Sequence, residues 1–437
     1  MKHKFIDCWL FNALSSVRRL TYKDCLYIPV FLASVWWAEG IQAREIYIQP
    51  SINITTKYDD NIRLMTEDRA DLLDGFDTSA YGVITRANAK LGVRSDRYDL
   101  LLDSQVVINR YSSDFDLDSE DFFVNFTSNF NATEKSIFSL NGDYTQNTTL
   151  TSELSDDETG TGLVEDNPTR EQWSVSPNWT YLLSETQFLQ ANYSHYDVSY
   201  EESDLDRFYD YTTDRIVLTY SKQWLPVLRN FYNISVMYFE VPEIKIGPLD
   251  TKRETLEYSV DVGVEYQISP TWLASLTVGG RFTNTDITVD QPTKVKISDN
   301  QQGMIFSFDL DKQFEKGTAG INYSRSTNPQ GDGRLQLLDR FDANFNHRFT
   351  HNLHFSLTGG VSVSSNSGSS NSDIEDNDRT NYRVRPAISW FFNRNTRLTG
   401  GYQYRRQEFE RNDEVAESNS FFLNFNYQWD KLATQRY

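Results

Sequence analysis

Tyr258-Ser259-Val260-Asp261-Val262-Gly263-Val264-Glu265-Tyr266-Gln267-Ile268 changes character at every step. Apolar and aromatic side chains hold the even positions, small and charged ones the odd positions. Period two is the mark of a β-strand with one apolar and one wet face. The same alternation recurs through Leu353, Phe355, Leu357, Val361 and Val363, and through Phe421, Leu423, Phe425, Tyr427 and Trp429. Strands of a soluble sandwich usually run about five or six residues. These are about twice that, the length a tilted strand needs to cross a bilayer. A bilayer-crossing sheet must close, because an open edge leaves backbone groups unpaired in hydrocarbon.

The alternation predicts strands over 45–58, 80–94, 97–111, 120–132, 135–150, 169–183, 186–200, 208–223, 228–241, 253–268, 271–287, 301–315, 317–326, 333–349, 352–366, 379–393, 396–410 and 417–430. The expected fold is therefore all-β: one closed antiparallel transmembrane β-barrel of about 18 strands, with 16 the alternative and both termini periplasmic. Short turns are expected at Ser95-Asp96, Thr133-Glu134, Ser184-Glu185, Leu225-Pro226, Ser269-Pro270, Glu315-Lys316, His351 and Asn395. Longer excursions separate them, and that asymmetry is the one expected of such barrels. A hairpin hidden in 59–79 or 151–168 would change the count by two.

Composition points the same way. The 437-residue chain holds 25 Tyr, 28 Phe and 9 Trp, yet its mean hydropathy is −0.58. That combination excludes a helical membrane protein and argues against disorder. Lys2, Lys4, Arg18, Arg19 and Lys23 precede the apolar run Leu26 to Trp37, which leads to Ala43. This reads as a secretory signal over 1–43, with the barrel over 44–437, and a retained N-terminal anchor as the other reading. Both cysteines, Cys8 and Cys25, fall inside that signal, so disulfides and thiol-metal sites are not expected beyond it. Without the signal the chain carries 37 Lys and Arg against 59 Asp and Glu, a net charge of −22. Such acidity speaks against nucleic acid as a partner.

Parity assigns charges to the lumen. Arg86, Lys90 and Arg94, with Arg334, Arg340, Arg348, Arg383, Arg385, Arg397 and Arg405, form an expected basic arc, because closure brings the last strand beside the first. Asp99, Asp103, Asp143, Glu257, Asp261, Glu265, Asp309 and Asp311 are expected across from it. Opposed signs would set a field across the pore that orients polar solutes. The plainer reading is that each charge braces the wall by pairing with a neighbour. Loops 59–77, 151–168, 199–207 and 370–380 hold 21 Asp and Glu against four Lys and Arg, which suits solvation or divalent-bridged contact with lipopolysaccharide.

Chemistry-bearing motifs are sparse. His195, His347, His351 and His354 are the histidines outside the signal. His195 with Asp197 is the candidate dyad, without a serine motif beside it, so no enzyme and no catalytic residue is expected. The other three histidines resemble a metal motif superficially, and Asp114, Asp116, Asp118 and Glu120 resemble the start of a calcium loop lacking its glycine and final glutamate. No metal and no cofactor is expected.

Pro50-Ser-Ile-Asn-Ile-Thr-Thr-Lys-Tyr-Asp-Asp-Asn-Ile62, then a loop, then Arg94-Ser-Asp-Arg-Tyr-Asp-Leu100, resembles the opening of a β-barrel porin family often encoded among exopolysaccharide genes. The resemblance implies a bacterial outer-membrane conduit for an exopolysaccharide or capsular polysaccharide, with periplasmic export proteins as partners. The alternative is a general or solute-selective diffusion porin for small polar solutes, and a structural or adhesive role for the loops comes third. Asp430-Lys-Leu-Ala-Thr-Gln-Arg-Tyr437 follows the last alternating strand, a departure from many barrels. It leaves both Trp429 and Tyr437 open as the terminal assembly signal.

Overall fold

The computed structural model describes residues 45–68, 77–113, 117–153, 167–201, 208–246, 249–289, 295–366, 378–410 and 413–435. The expected signal over 1–43, and with it both cysteines, lies outside them. The strands are β1 (Glu45–Asp59), β2 (Ala80–Arg94), β3 (Tyr98–Ser112), β4 (Ser119–Asn131), β5 (Ser136–Thr148), β6 (Thr169–Ser184), β7 (Gln187–Tyr200), β8 (Tyr211–Leu225), β9 (Leu228–Ile246), β10 (Leu249–Ser269), β11 (Trp272–Val289), β12 (Val295–Phe314), β13 (Gly317–Pro329), β14 (Leu335–Arg348), β15 (Leu353–Asn366), β16 (Arg379–Phe391), β17 (Thr396–Phe409), β18 (Val415–Gln428) and the short β19 (Leu432–Gln435). Each of β1 to β18 pairs antiparallel with its sequence neighbour, and β18 returns to β1, so eighteen strands close the wall. Neither suspected loop adds a hairpin among its described residues; Thr149–Glu153 is a single helical turn.

Closure explains the tail that follows the last alternating strand. Ser51–Asp59 of β1 pairs with β18, while Glu45–Ile48 pairs with β19. Between them Gln49 and Pro50 oppose the three residues Trp429 to Lys431, a bulge in the closing strand. Proline has no N–H to give a ladder, but its carbonyl still accepts from Trp429 N at 3.1 Å. The step is clasped at the short-turn end. Asp430 accepts from Asn395 Nδ2 at 2.9 Å and pairs with Arg394 at 3.0 Å, contacts that hold its carboxyl below the usual carboxylate range. Lys431 pairs with Glu45 at 2.5 Å.

Six of the eight short turns share one device. The hydroxyl or amide oxygen that opens the turn accepts from backbone N–H groups two or three residues on. Ser95 Oγ takes Tyr98 N at 3.2 Å, Thr133 Oγ1 takes Ser136 N at 3.0 Å, Thr350 Oγ1 takes Leu353 N at 3.0 Å, and Asn393 Oδ1 takes Thr396 N at 2.9 Å. Side chains of this kind mimic a backbone turn and satisfy donors that the ladder leaves behind. The described ends of the chain, Glu45 and Gln435, lie at this same end, so it is the periplasmic one.

The outward phase carries the apolar belt. Tyr258, Val262, Tyr266, Leu357, Phe421 and Phe425 are exposed there, with Phe355 half-buried among Phe345 and Phe349. Lys222 Nζ sits 3.5 Å from the Trp224 ring, and Lys312 Nζ 4.5 Å from that of Trp272, beside the short turns. Aromatic rings with overlying ammonium groups suit the polar boundary of a bilayer. A closed strand wall with an apolar outer surface is the architecture of the bacterial outer membrane.

β9 to β12 run 19, 21, 18 and 20 residues, longer than the alternation predicted. Pro242 looks like a strand end in the sequence. In the structure a bulge absorbs it: Thr251 faces Ile244 and Arg253 faces Val241, so Pro242 and Glu243 together oppose Lys252. β12 pairs with β13 only up to Phe306 and Arg325, and above that point it pairs with β11. The β13–β14 turn is thereby released from the wall and folds inward. Tyr209 N donates to Gly331 O and Arg253 Nη1 to Gly333 O, both at 2.8 Å. Gly333 has φ +74°, which favours glycine. Leu335 joins Val198, Tyr211, Met237, Phe239, Val241 and Ile244 in an apolar cluster on the inner face.

Candidate functional site: a cation-lined chamber

Five cations from four strands around the closing seam converge on one lumenal cavity of about 690 Å³: Lys57, Arg86, Arg385, Arg397 and Arg405. They meet because β16 and β17 reach β1 and β2 through β18. Asn53, Thr55, Gln105, Asn109, Gln403 and Asn424 line the rest, with Tyr111, Phe123 and Phe422 as aromatic surfaces. The guanidinium of Arg385 lies 4.6 Å from the Phe422 ring centre, within cation–π range. Asp121 is the one carboxylate among the described lining residues, and it accepts from Asn109 Nδ2 at 2.9 Å.

The arc members differ in their partners. Among the described residues neither Arg86 nor Arg397 forms a close ion pair, although Arg86 is attracted by Asp121 of the same chamber and Arg397 lies 5.7 Å from the Phe391 ring. Arg405 pairs with Asp59 at 3.2 Å, and Lys57 pairs with the same carboxylate at 2.7 Å. Arg340 and Arg383 share Asp342, at 2.5 and 3.4 Å. Arg94 and Arg348 end β2 and β14, at the periplasmic rim. Arg334 does not belong to the wall: it precedes β14 in the infolded turn, 4.0 Å from Asp332. Three residues of this network, Lys57, Asp59 and Asp342, were missed by the sequence reading. Lys57 follows Asn53 and Thr55 on the polar phase, and Asp342 stands two residues from Arg340, so parity alone could have found both.

The expected separation of signs needs correction. Asp99 and Asp103 lie beside the arc, not across from it: Asp99 pairs with Arg94 at 3.1 Å and Asp103 with Lys90 at 3.4 Å. Glu265 pairs with Arg229 on the neighbouring strand at 3.8 Å. Residues opposed in an antiparallel ladder are close enough to pair before any charge across the lumen is felt, and exposed pairs of this kind contribute only about 0–1 kcal/mol. Glu257 is buried and held by Arg281 at 3.3 Å, so it contributes no open lumenal charge. Three of the remaining four acids keep neutral partners, and Asp311 stands opposite Leu273 and Gly320 in the ladders. Asp143 accepts from Ser174 and Gln172, Asp261 from Asn233 at 2.6 Å, and Asp309 from Ser275 at 2.8 Å and from Asn322.

The other candidates dissolve in three dimensions. His195 pairs with Asp214 at 2.8 Å rather than with Asp197, and its ring lies against Trp173 on the outward phase. His347 stacks with Phe345 on the outward phase, whereas His354 faces inward against Phe391. Among the described residues no cluster could hold a metal ion. Asp118 and Glu120 are engaged with Arg110, at 3.8 and 2.6 Å; Asp114 and Asp116 lie outside the described residues.

No family model matches the chain, and no curated protein does. Among solved structures, the ferric-catecholate import receptor Fiu from E. coli K12 is 8% identical, over 87% of this chain and 81% of that one, with a TM-score of 0.44. The siderophore receptor PiuA from Acinetobacter baumannii is 9% identical over 88% and 82%, with a TM-score of 0.45. OccAB4 from Acinetobacter baumannii is 11% identical over 89% and 99%, with a TM-score of 0.44.

Proposed function

We propose that this barrel is an outer-membrane conduit for an anionic exopolysaccharide or capsular polysaccharide, delivered by periplasmic partner proteins. The observation that carries the reading is the chamber, in which Arg86, Arg385 and Arg397 stand among amide side chains and beside Phe422. Arginine engages a carboxylate in two-point fashion and keeps its charge at any physiological pH. Several such groups spaced along a wall give repeated weak contacts, which is what transport requires, since one tight site would arrest the chain. Aromatic surfaces add a face for the C–H side of a sugar ring. A second reading, a diffusion porin for small anions, is favoured by the infolded β13–β14 turn, because it narrows the outer part of the lumen.

Replacing Arg86, Arg385 and Arg397 together by Gln tests the two. Secreted polysaccharide is expected to fall several-fold with barrel assembly intact. In planar bilayers the reversal potential of the variant should move from anion toward cation preference, because Asp143, Asp261 and Asp309 remain. Normal secretion with the shifted potential favours the porin. A variant changed in neither respect sinks both readings and leaves the arginines as wall braces.

A further inference from the structure

The acids of the cation chamber stand at its outer end. Asp121 is the third residue of β4 and Asp59 the last of β1, whereas Arg397 is the second residue of β17, at the periplasmic rim. Arg397 forms no close ion pair among the described residues, while Lys57 and Arg405, towards the outer end, share Asp59 at 2.7 and 3.2 Å. The same wall therefore offers a cation without a close counter-charge where a solute enters from the periplasm, and two cations that divide one counter-charge where it leaves.

Asp59 is 0% exposed, so cargo meets its two cations, which line the cavity, and not the carboxylate itself. Four donors fix it: Lys57, Arg405, Ser418 Oγ at 2.7 Å and the backbone N–H of Asn61 at 3.1 Å. Arg405 Nη2 also donates to Ser418 Oγ at 3.3 Å, which closes a ring of three side chains across the seam from β17 through β18 to β1. Pairing and full hydrogen bonding are the terms on which a protein tolerates a buried charge. One counter-charge for two cations has a consequence for transport. A polyanion facing all five cations at full strength would be held tightly, and a tight site does not release. Asp59 weakens the attraction at the exit without removing either cation, and it keeps on the wall two side chains that would otherwise repel each other.

We propose that Asp59 is a positioning residue that sets how readily an anion leaves the chamber at its outer end, acting through Lys57 and Arg405. The inference rests on the reading of the chamber as an anion path, and holds for a polymer or a small solute. The test uses the barrel in planar bilayers in dilute KCl, where a single charge is least screened, with a galacturonate hexamer added from the periplasmic side as the probe. Asp59→Asn should raise the chloride-over-potassium permeability ratio and lengthen each blockade about two- to six-fold, the effect of one unit charge acting through water over roughly 4–10 Å. Asp59→Asn with Lys57→Gln restores the net charge and should return both readings toward the wild type. Compared with Lys57→Gln alone, that double variant should show the same rise, a comparison that serves even where Asp59→Asn by itself does not assemble. Heat-modifiable gel mobility identifies the folded barrels. A folded Asp59→Asn barrel that loses stability to urea but keeps the wild-type ratio and blockade times overturns the inference and leaves Asp59 as a brace of the seam. So does one that turns less anion-selective, because its cations have then swung off the path. A wild type without anion preference fails the chamber reading itself, whereas an anion-selective wild type with an unchanged Asp59→Asn fails this inference alone.

Discussion

Arginine at Val262 is expected to destabilise the folded barrel by roughly 2 to 4 kcal/mol if the site lies at the bilayer midplane. Val262 is 46% exposed on the outward phase of β10, between Val260 and Val264 and opposite Val278 of β11. A guanidinium there faces hydrocarbon, and its stem is too short to reach the headgroups from mid-belt. One residue earlier the same substitution meets different surroundings. Asp261 faces the lumen and accepts from Asn233 Nδ2 at 2.6 Å. Asp261→Arg loses that hydrogen bond, worth about 1 kcal/mol net, while its new charge remains in water. Urea titration of the barrel refolded into liposomes measures both. Equal losses at the two positions would contradict the phase on which the whole inner surface is assigned.

Phase is also the reason so much of the architecture was legible. Alternation with period two marks each strand independently, and a polar residue or a proline at a tight turn marks most periplasmic reversals, so eighteen strands and eight short turns follow from local chemistry. Proline carried less certain information. Pro242 reads as a terminus, yet a bulge lets β9 continue to Ile246. Pro50 reads as an ordinary strand residue, yet it is where the closing strand steps from β18 to β19. Both outcomes depend on the partner strand, which a single segment does not encode.

The lumenal site was legible to the same depth. Parity sends Arg86, Arg385, Arg397 and Arg405 inward, and closure brings them together. Pairing needed the register as well as the parity. Arg94 and Asp99 flank one tight turn, so their contact could have been counted off the sequence. The contact of Arg405 with Asp59 joins residues 346 apart and exists only because the barrel closes. The infolding of the β13–β14 turn had no signal of that kind. It follows from β12 leaving β13 above Phe306, a consequence of the long β11–β12 hairpin.

That infolded turn rests on one buried carboxylate, and its removal should be the costliest single change in the outer half of the barrel. Glu257 is 2% exposed. It accepts from Arg281 Nη1 at 3.3 Å, Thr283 Oγ1 at 3.2 Å and Thr327 Oγ1 at 2.9 Å, with Arg215 Nη2 at 4.0 Å. Strands β8, β10, β11 and β13 therefore meet at this one side chain. Glu257→Leu strands the buried guanidinium of Arg281, whose side chain is 6% exposed. Breaking a buried pair from one side costs about 3–5 kcal/mol, because the surviving charge stays desolvated. Glu257→Gln retains acceptors for both threonines and should lose less. Removing both charges, as Glu257→Leu with Arg281→Met, should recover much of the loss, since the penalty belongs to the orphan charge rather than to the missing bond. Urea unfolding of the three variants gives the order, and protease access to the β13–β14 turn gives its location. A Glu257→Leu barrel as stable as the wild type, or a double variant worse than the single, would mean that water reaches Arg281 and that the turn is held by its backbone contacts to Tyr209 and Arg253 instead.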